Sequence, residues 1–318
     1  MRRSVLVLFV AFGGAAALLA QARAISAPQP LWTVNTGLAR PNSAYYHQRS
    51  NSIFVSNYSG GRFNKDGNSY ITRLAPNGKV LAEKWATGLN APQGIRSVGN
   101  TIWVADIDEV VGFELTADGA RLQSRVRIAG ARALNDLATA PDGTIFVSDS
   151  WSYPAAPDSP PRIYMVKDGK PSIFIEGEDA AWAPLGLLLD GDRLIVGTRG
   201  RGVGVDARIV GGQLLAFDLK TRARTVLATA IAVGEVSGIE PAEPGAYFVS
   251  DLLSRKLFHV ARDGKVTTLV TFDHGGGDIA VRPMVEQLQQ AGTLFVPFPF
   301  TNSVSAYDLY PLIRASMN

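Results

Sequence analysis

Short apolar runs recur along the chain and are the clearest sign of its fold. Each run is β-branched or aromatic and ends in a small or polar residue, and the runs begin at intervals of 43 to 53 residues. Their first residues are Ile53, Ile102, Ile145, Leu194, Tyr247 and Leu294. A run this short is typical of a strand buried on both faces rather than of a helix. The pattern therefore predicts six copies of one structural unit.

The neighbours of each run complete the unit. A second short strand precedes the run, and two more strands follow it around Asn-Gly or Asp-Gly turns such as Asn77-Gly78 and Asp118-Gly119. These dipeptides suit hairpins because they tolerate positive φ. Each unit is thus a four-stranded antiparallel meander, and six radial units predict an all-β, six-bladed β-propeller.

The two ends of the repeat region predict how the ring closes. The segment 32–41 resembles 85–92, in which an outermost strand leads into the next blade, whereas the last repeat stops after its third strand, 303–309. We therefore expect the N-terminal strand to supply the fourth strand of blade six, which removes an exposed edge. The alternative is an open six-repeat solenoid, which leaves both ends unpaired.

The first residues are typical of an export signal. Arg2-Arg3 precedes a small-residue apolar run, 5–20, and an A-x-A cleavage pattern at 22–24. This predicts a signal peptide over 1–24 and a single propeller domain over 25–318, periplasmic or secreted, with no membrane contact after cleavage. The alternative is a retained membrane anchor, for which the run is short against a bilayer core of about 30 Å.

The export segment also accounts for the charge of the chain. Lys and Arg number 31 against 28 Asp and Glu, and residues 1–24 hold three arginines and no acid, so the remainder balances at 28 against 28. A neutral domain has no electrostatic footprint for phosphate backbones, which argues against nucleic acid. The absence of Cys excludes disulfides and thiolate metal sites.

Two sets of residues are expected on one rim of the propeller. The axial ring lies just before the inner strands, and the strand-end ring lies at the ends of the apolar runs. The axial ring is Asn42, Gln93, Asn135, Leu185, Ser237 and Gly277, with Asp136 beside Asn135; the strand-end ring is Asn57, Asp106, Asp149, Thr198, Asp251 and Phe298. Together they predict a polar funnel that binds a ligand. The alternative for each strand-end residue is a structural role, capping strands and bonding loop amides.

Three long loops on the same rim sharpen the ligand prediction. They follow the apolar runs of blades one, three and four, over 57–69, 149–161 and 198–208. Their aromatic and cationic side chains are Tyr58, Trp151, Tyr153, Arg62, Lys65, Arg199 and Arg201. This mixture favours a small polar or anionic ligand, although long loops are also tolerated at surfaces without function.

Two further features are candidates for function. His274 precedes a glycine run on the rim of blade six and is the candidate general base, whereas His47 and His259 fall in predicted strands and are expected to be structural. Residues 283–292 begin with Pro, end with Gly and predict a short helix, either packing decoration or a protein-docking element.

The repeat resembles the regucalcin and gluconolactonase superfamily of six-bladed propellers, with the related paraoxonase-type lactonases and NHL-repeat proteins. The segment 134–149, which begins Leu-Asn-Asp-Leu, is similar to the Asn-Asp segment that opens blade three in those enzymes. Ser56-Asn57, the segment 65–68 and the segment 87–92 resemble an exported, lactonase-like branch.

The resemblance implies a lactonase that holds a divalent cation such as Ca²⁺ on the axis. The positions that match the ligands of the gluconolactonase type are Asn42, Leu185 and Ser237, and only Asn135 matches a retained substrate or ligand Asn. Leu185 cannot ligate, and Ca²⁺ requires several oxygen ligands. The implied metal site is therefore mostly absent, unless the aspartates of the rim rebuild it.

Three hypotheses follow. The first is an exported propeller that binds a small polar molecule in the axial funnel, whether or not it is catalytic. The second is a metal-dependent lactone or ester hydrolase, and the third is a protein-interaction scaffold. A monomer is expected, because a closed ring has no free sheet edge.

Overall fold

A computed structural model describes residues 28–150, 160–177, 183–203, 208–232, 234–285 and 292–315. The predicted signal peptide lies outside the described residues, as do Trp151 and Tyr153 of the blade-three loop. Residues 286–291, most of the predicted helix, also lie outside them.

The chain forms six four-stranded antiparallel sheets, which confirms the predicted six-bladed β-propeller. The strands are β1 (Trp32–Val34), β2 (Pro41–His47), β3 (Ser52–Asn57), β4 (Ser69–Leu74), β5 (Val80–Leu89), β6 (Pro92–Val98), β7 (Thr101–Asp106), β8 (Glu109–Thr116), β9 (Gly119–Arg127), β10 (Leu134–Thr139), β11 (Ile145–Asp149), β12 (Arg162–Lys167), β13 (Lys170–Glu176), β14 (Pro184–Asp190), β15 (Arg193–Thr198), β16 (Arg201–Val203), β17 (Arg208–Val210), β18 (Gly212–Asp218), β19 (Arg224–Ala232), β20 (Val236–Pro241), β21 (Tyr247–Asp251), β22 (Lys256–Val260), β23 (Val266–Thr271), β24 (Ala280–Arg282), β25 (Thr293–Phe298) and β26 (Ser303–Asp308).

The blades follow one another along the chain. Blades one to six are β2-β3-β4-β5, β6-β7-β8-β9, β10-β11-β12-β13, β14-β15-β18-β19, β20-β21-β22-β23 and β24-β25-β26-β1, each written from the axis outward. In blade four the long loop after β15 contains a separate two-stranded hairpin, β16 with β17.

The N-terminal strand closes the ring as predicted. Strand β1 runs antiparallel to β26, with Thr33 opposite Ser305 and a hydrogen bond of 2.8 Å between their hydroxyls. Trp32 anchors the strand, because its indole Nε1 donates to the carbonyl of Pro76 in blade one and its ring packs on Phe295 of blade six. Trp32 therefore links the first and last blades.

The apolar runs fill the spaces between blades. Along β3, Ile53 and Val55 pack in the cluster shared with blade six, whereas Phe54 packs in the cluster shared with blade two. Successive side chains of a strand point to opposite faces, so a run without polar residues supplies two cores at once. This is the physical reason for the continuous apolar runs in the sequence.

A C-terminal helix follows the last strand and was not anticipated. Helix α1 (Leu309–Ala315) packs Leu309 and Leu312 into the cluster between blades five and six. Over the described ranges, no helix has the length and apolar character needed to cross a membrane.

The closure contact is testable by truncating its anchor. Trp32→Ala removes the indole that spans Pro76 and Phe295, and we expect it to lower the free energy of unfolding by about 2 kcal/mol, since the side chain is half-buried. Thermal unfolding followed by circular dichroism should show a lower midpoint. Leu31→Ala, at a neighbouring exposed side chain, is the matched control and should leave the midpoint unchanged. Equal midpoints for the two variants would contradict the anchoring role.

Candidate functional site

Irregular pairing at the start of the inner strands shapes the axial end of the blades. The register between first and second strands shifts at Pro41/Ser43, Pro92/Ile95, Leu134/Leu137, Pro184/Leu187 and Val236/Gly238. Such bulges turn a side chain away from the regular pleat. Five members of the axial ring lie at these shifts, and four of them, Asn42, Asn135, Leu185 and Ser237, line a cavity.

Serines stabilise the bulges in alternate blades. The hydroxyls of Ser56 and Ser148 accept hydrogen bonds of 3.0 Å from the backbone amides of Ser43 and Asp136. Ser250 does the same for Gly238 in blade five, and its hydroxyl donates to the carbonyl of Gly277 in blade six. The bulged backbone is thereby held without a regular ladder bond.

The cavity lies where the inner strands converge and has a volume of about 180 Å³. Its lining is mostly polar, from a floor of inner-strand residues to a mouth of rim-loop residues. The lining residues are Asn42, Tyr58, Arg62, Gly94, Asn135, Asp136, Leu185, Glu235, Ser237, Leu252, Gly277, Asp278, Pro299 and Phe300. Gln93 lies behind this surface, where its side-chain oxygen accepts a hydrogen bond of 2.9 Å from Asn42.

The strand-end ring does not line the cavity. Four of its side chains instead accept hydrogen bonds from backbone amides of neighbouring loops. The acceptors and their donors are Asp106 with Asn90 and Ala91, Asp149 with Arg132 and Ala133, Asp251 with Glu235 and Leu253, and Asn57 with Ala39. These contacts are the loop-capping role that the sequence left as an alternative. The cavity is thus lined by Asp136 and by five of the six axial-ring residues, all except Gln93.

The floor of the cavity belongs to a buried group of charges that we call the axial cluster: Arg96, Asp136, Glu240 and Asp278. The guanidinium of Arg96 lies 3.3 Å from Asp278 Oδ2, 3.5 Å from Asp136 Oδ2 and 3.8 Å from Glu240 Oε1. Three carboxyl groups from blades three, five and six therefore surround one cation from blade two.

Burial and mutual repulsion keep protons on this cluster. Burial raises the pKa of Asp136 to about 8, and Arg96 offsets this only in part. Burial likewise raises the pKa of Glu240 to about 8 and raises that of Asp278. Burial alone would lower the pKa of Arg96, but the three carboxylates raise it, so the guanidinium stays charged.

The two floor carboxyls differ in how well they are paired. Both oxygens of Asp136 accept backbone amides, from Leu137 at 2.7 Å and Leu187 at 2.8 Å. Asp278 Oδ2 accepts from Ser43 Oγ at 2.6 Å and from Arg96, but Asp278 Oδ1 is buried and has no hydrogen-bond partner among the residues that the structure describes. A buried carboxyl oxygen without a partner is costly, so this atom marks a place for a donor.

Arginines lie at the mouth of the cavity. Arg199 pairs at 2.7 Å with Glu235, the one carboxylate among the described residues of the mouth. Arg62 is half-buried and lines the cavity, and among the described residues no group accepts a hydrogen bond from its guanidinium. Burial lowers the pKa of Arg62, yet an arginine remains protonated at neutral pH.

The donor set does not fit the metal site that the resemblance implies. Leu185 and Ser237 line the cavity at two of the three matching positions, so a hydrocarbon and a neutral hydroxyl stand where ligands are expected. The aspartates of the floor are bonded to Arg96 and to backbone amides. In the part of the chain that the structure describes, no three His, Asp or Glu residues are grouped to hold a metal ion.

The remaining candidates lie away from the cavity. His274 is exposed and is not a lining residue, and Lys65 pairs with Asp108 at 2.6 Å. His47 and His259 lie in β2 and β22, where His47 bonds Ser50 and Gly99 and His259 bonds Glu243.

Sequence reasoning did not single out three residues of the site. They are Arg96, Glu240 and Glu235. The sequence did contain a signal for Arg96. The equivalent positions of blades three and four are apolar, Ala138 and Leu188, whereas blade two has a charged residue at this position on the inner strand. A signal for Glu235 was its place beside Ser237 of the axial ring.

The comparisons with known proteins agree with this architecture. No family model and no curated protein matches the sequence. Among solved structures, a gluconolactonase of Xanthomonas campestris is similar at a TM-score of 0.58 and 16 % identity, covering 88 % of each chain. A structural-genomics target assigned to a gluconolactonase protein family is similar at 0.58 and 14 % identity, covering 88 % of this chain and 91 % of its own.

A solved complex of two other proteins reaches the same TM-score. A chain of the nidogen/laminin complex has a TM-score of 0.58 and 17 % identity, covering 77 % of this chain and 88 % of its own. The structural neighbours are thus gluconolactonase-like and NHL- or laminin-type six-bladed propellers, as the sequence resemblance implied. At these identities the likeness shows the fold alone.

The raised pKa values predict how stability depends on pH. A carboxyl with a raised folded-state pKa contributes stability that is present below its unfolded value, 4.5 for Glu240, and is lost as the pH rises through about 8. We therefore expect the free energy of unfolding in urea to fall from pH 6 to pH 9. Glu240→Gln should reduce that fall by on the order of 1–3 kcal/mol.

The matched control is Glu83→Gln, at an exposed position of the outer strand β5. It should reproduce the pH profile of the unmodified protein. A profile of Glu240→Gln that runs parallel to that of the unmodified protein would show that the axial cluster does not hold these protons.

Proposed function

We propose that this chain is an exported, ligand-binding propeller whose axial cavity holds a small polar molecule. The observation that carries the proposal is Asp278 Oδ1, a buried oxygen on a cavity-lining residue that has no hydrogen-bond partner in the described part of the chain. Asn42, Asn135 and Ser237 add further donors and acceptors around the same space. Polar groups that converge in a concave site are typical of a binding site.

The size of the cavity limits the ligand. Sites for drug-sized molecules have volumes of about 300–1,000 Å³, and this cavity has about 180 Å³. The ligand is therefore a small metabolite, or the end group of a longer one that leaves past Phe300, which is 74 % exposed at the mouth.

Asn135 provides the test of the proposal. We expect that Asn135→Ala weakens binding by about 10-fold, the loss of one to two hydrogen bonds from a site partly closed to water. The ligand would first be sought by thermal shift with a panel of polyols, sugar lactones, hydroxy acids and amino acids. Affinity of any hit would then be measured by isothermal titration calorimetry.

The matched control is Asn100→Ala, an exposed asparagine in the turn between β6 and β7 that does not line the cavity. It should leave affinity unchanged. If Asn135→Ala and Arg199→Ala both bind the hit as tightly as the unmodified protein does, the ligand is not held in the axial cavity.

Hydrolysis of a lactone is the second proposal, and the gluconolactonase among the structural neighbours supports it. The two proposals predict different effects of divalent metal ions on the thermal midpoint of the protein. The binding proposal predicts no change in the thermal midpoint with Ca²⁺, Mg²⁺, Zn²⁺ or Mn²⁺, whereas a metal-dependent hydrolase is stabilised by its ion through mass action. A midpoint raised by several degrees, together with turnover on a lactone panel, would favour the hydrolase.

A further inference from the structure

Charge is distributed unevenly along the axis of the cavity. The axial cluster at the floor contains the carboxyl groups of Asp136, Glu240 and Asp278 around the single cation of Arg96. With all four groups ionised, the floor carries an excess of two negative charges. Among the described residues of the mouth the excess is positive, because the arginines at 62 and 199 face one carboxylate, Glu235.

The negative excess at the floor needs compensation. Three of the four residues in the cluster are buried, and an unbalanced charge away from water is strongly unfavourable unless it is neutralised or paired. Protons on the carboxyl groups are one form of compensation. A cation that enters the cavity would be another, and it would meet Asp278 Oδ1, which has no partner among the described residues.

The positive excess at the mouth is the charge that remains after Arg199 and Glu235 have formed their ion pair. Glu235 is bonded to Arg199, so within the described part of the mouth the guanidinium of Arg62 is the charged group that a ligand can still pair with. A half-buried guanidinium favours a planar anion, since its parallel N–H groups match a carboxylate.

The geometry points to a zwitterion as the ligand, a small molecule whose ammonium group meets Asp278 at the floor and whose carboxylate meets Arg62 at the mouth. This inference rests on the proposed function, because it assigns a chemical class to the occupant of the same cavity. An amino acid is the simplest member of the class.

A metal ion is a poorer match for the floor than an ammonium group. Hard cations such as Ca²⁺ take six to eight oxygen ligands. Both oxygens of Asp136 and one oxygen of Asp278 are already occupied, which leaves one free carboxyl oxygen between them. One such oxygen, with amide or hydroxyl groups nearby, is sufficient for a compact group with three N–H donors.

The experiment compares matched probes on the full mature chain. A series of unbranched amino acids from glycine to 6-aminohexanoate would be measured by calorimetry at pH 8 and low salt, so that the charge separation is varied. Each is compared with the carboxylate and the amine of the same chain length, and with glycerol as a neutral probe. We expect the best amino acid to bind at least 10-fold more tightly than either singly charged partner.

Two variants test separately the residue proposed to bind the ammonium group and the residue proposed to bind the carboxylate. Asp278→Asn keeps the size of the side chain but can present an N–H₂ group to the cavity, and it should weaken amino-acid binding at least 10-fold while leaving carboxylate binding within 2-fold. Arg62→Gln should weaken the binding of carboxylates and of amino acids alike, because both classes present a carboxylate to Arg62. The matched controls are Asp142→Asn and Arg49→Gln, exposed side chains away from the cavity.

The dependence on pH gives a readout that a purely structural role would not move. Asp278 is surrounded by Ser43, Arg96, Asp136 and Glu240, with Arg62 and Glu235 above, and Asp136 and Glu240 release protons as the pH rises through about 8. Amino-acid affinity should therefore increase from pH 6.5 to pH 8.5, whereas the affinity for a neutral polyol should not.

The results that overturn the inference differ from those that overturn the proposed function. Equal affinity for glycerol and the amino acids, or equal losses for all probes in Asp278→Asn, would show a polar site without charge selection. Should Asp278→Asn fail to fold, the probe series on the unmodified chain and Arg62→Gln decide the matter. If sugar lactones or polyols bind and Asn135→Ala weakens them, the proposed function stands and the zwitterion does not.

Discussion

Both faces of every four-stranded blade are apolar, and a blade can bury both only when another blade lies on each side. Ile53 and Phe54 show this at the level of adjacent residues, since they enter different cores. An open row of six blades would leave two such faces in water, so the ring must close, and Trp32 with β1 makes the closure. Everything at the axis follows from that circular arrangement.

Closure forces six inner strands towards one line, where space is short. Glycine is therefore required at points of contact: a side chain at Gly186 would meet the carbonyl of Ser237 at 2.7 Å, and one at Gly238 would meet the backbone of Ile279 at 2.5 Å. The same convergence brings Asp136 and Asp278 from blades three and six to one guanidinium. The narrow axis thus concentrates charge in a place that water hardly reaches, which is why protons are retained there.

The sequence predicted those parts of the fold whose features repeat along the chain. The apolar runs, the Asn-Gly and Asp-Gly turns and the unpaired last repeat predict the blades, their number and the closing strand. Asn42, Asn135 and Ser237 could be placed at the axis for the same reason. The contact between Arg96 and Asp278 joins residues 182 positions apart and occurs once, so no repeat indicates it. Helix α1 lies beyond the last repeat and escaped prediction for that reason too.

The strand that closes the ring has a consequence for how the molecule is made. Thr33 and Ser305 are 272 residues apart, so among the described strands the first along the chain pairs with the last. Contacts between distant residues form slowly because the intervening chain must first be ordered. During synthesis the first five blades can assemble one after another. Strand β1 stays unpaired during this time, and the last blade formed has one face exposed to water. The nascent chain is therefore most exposed to aggregation until β26 has emerged and can pair with β1.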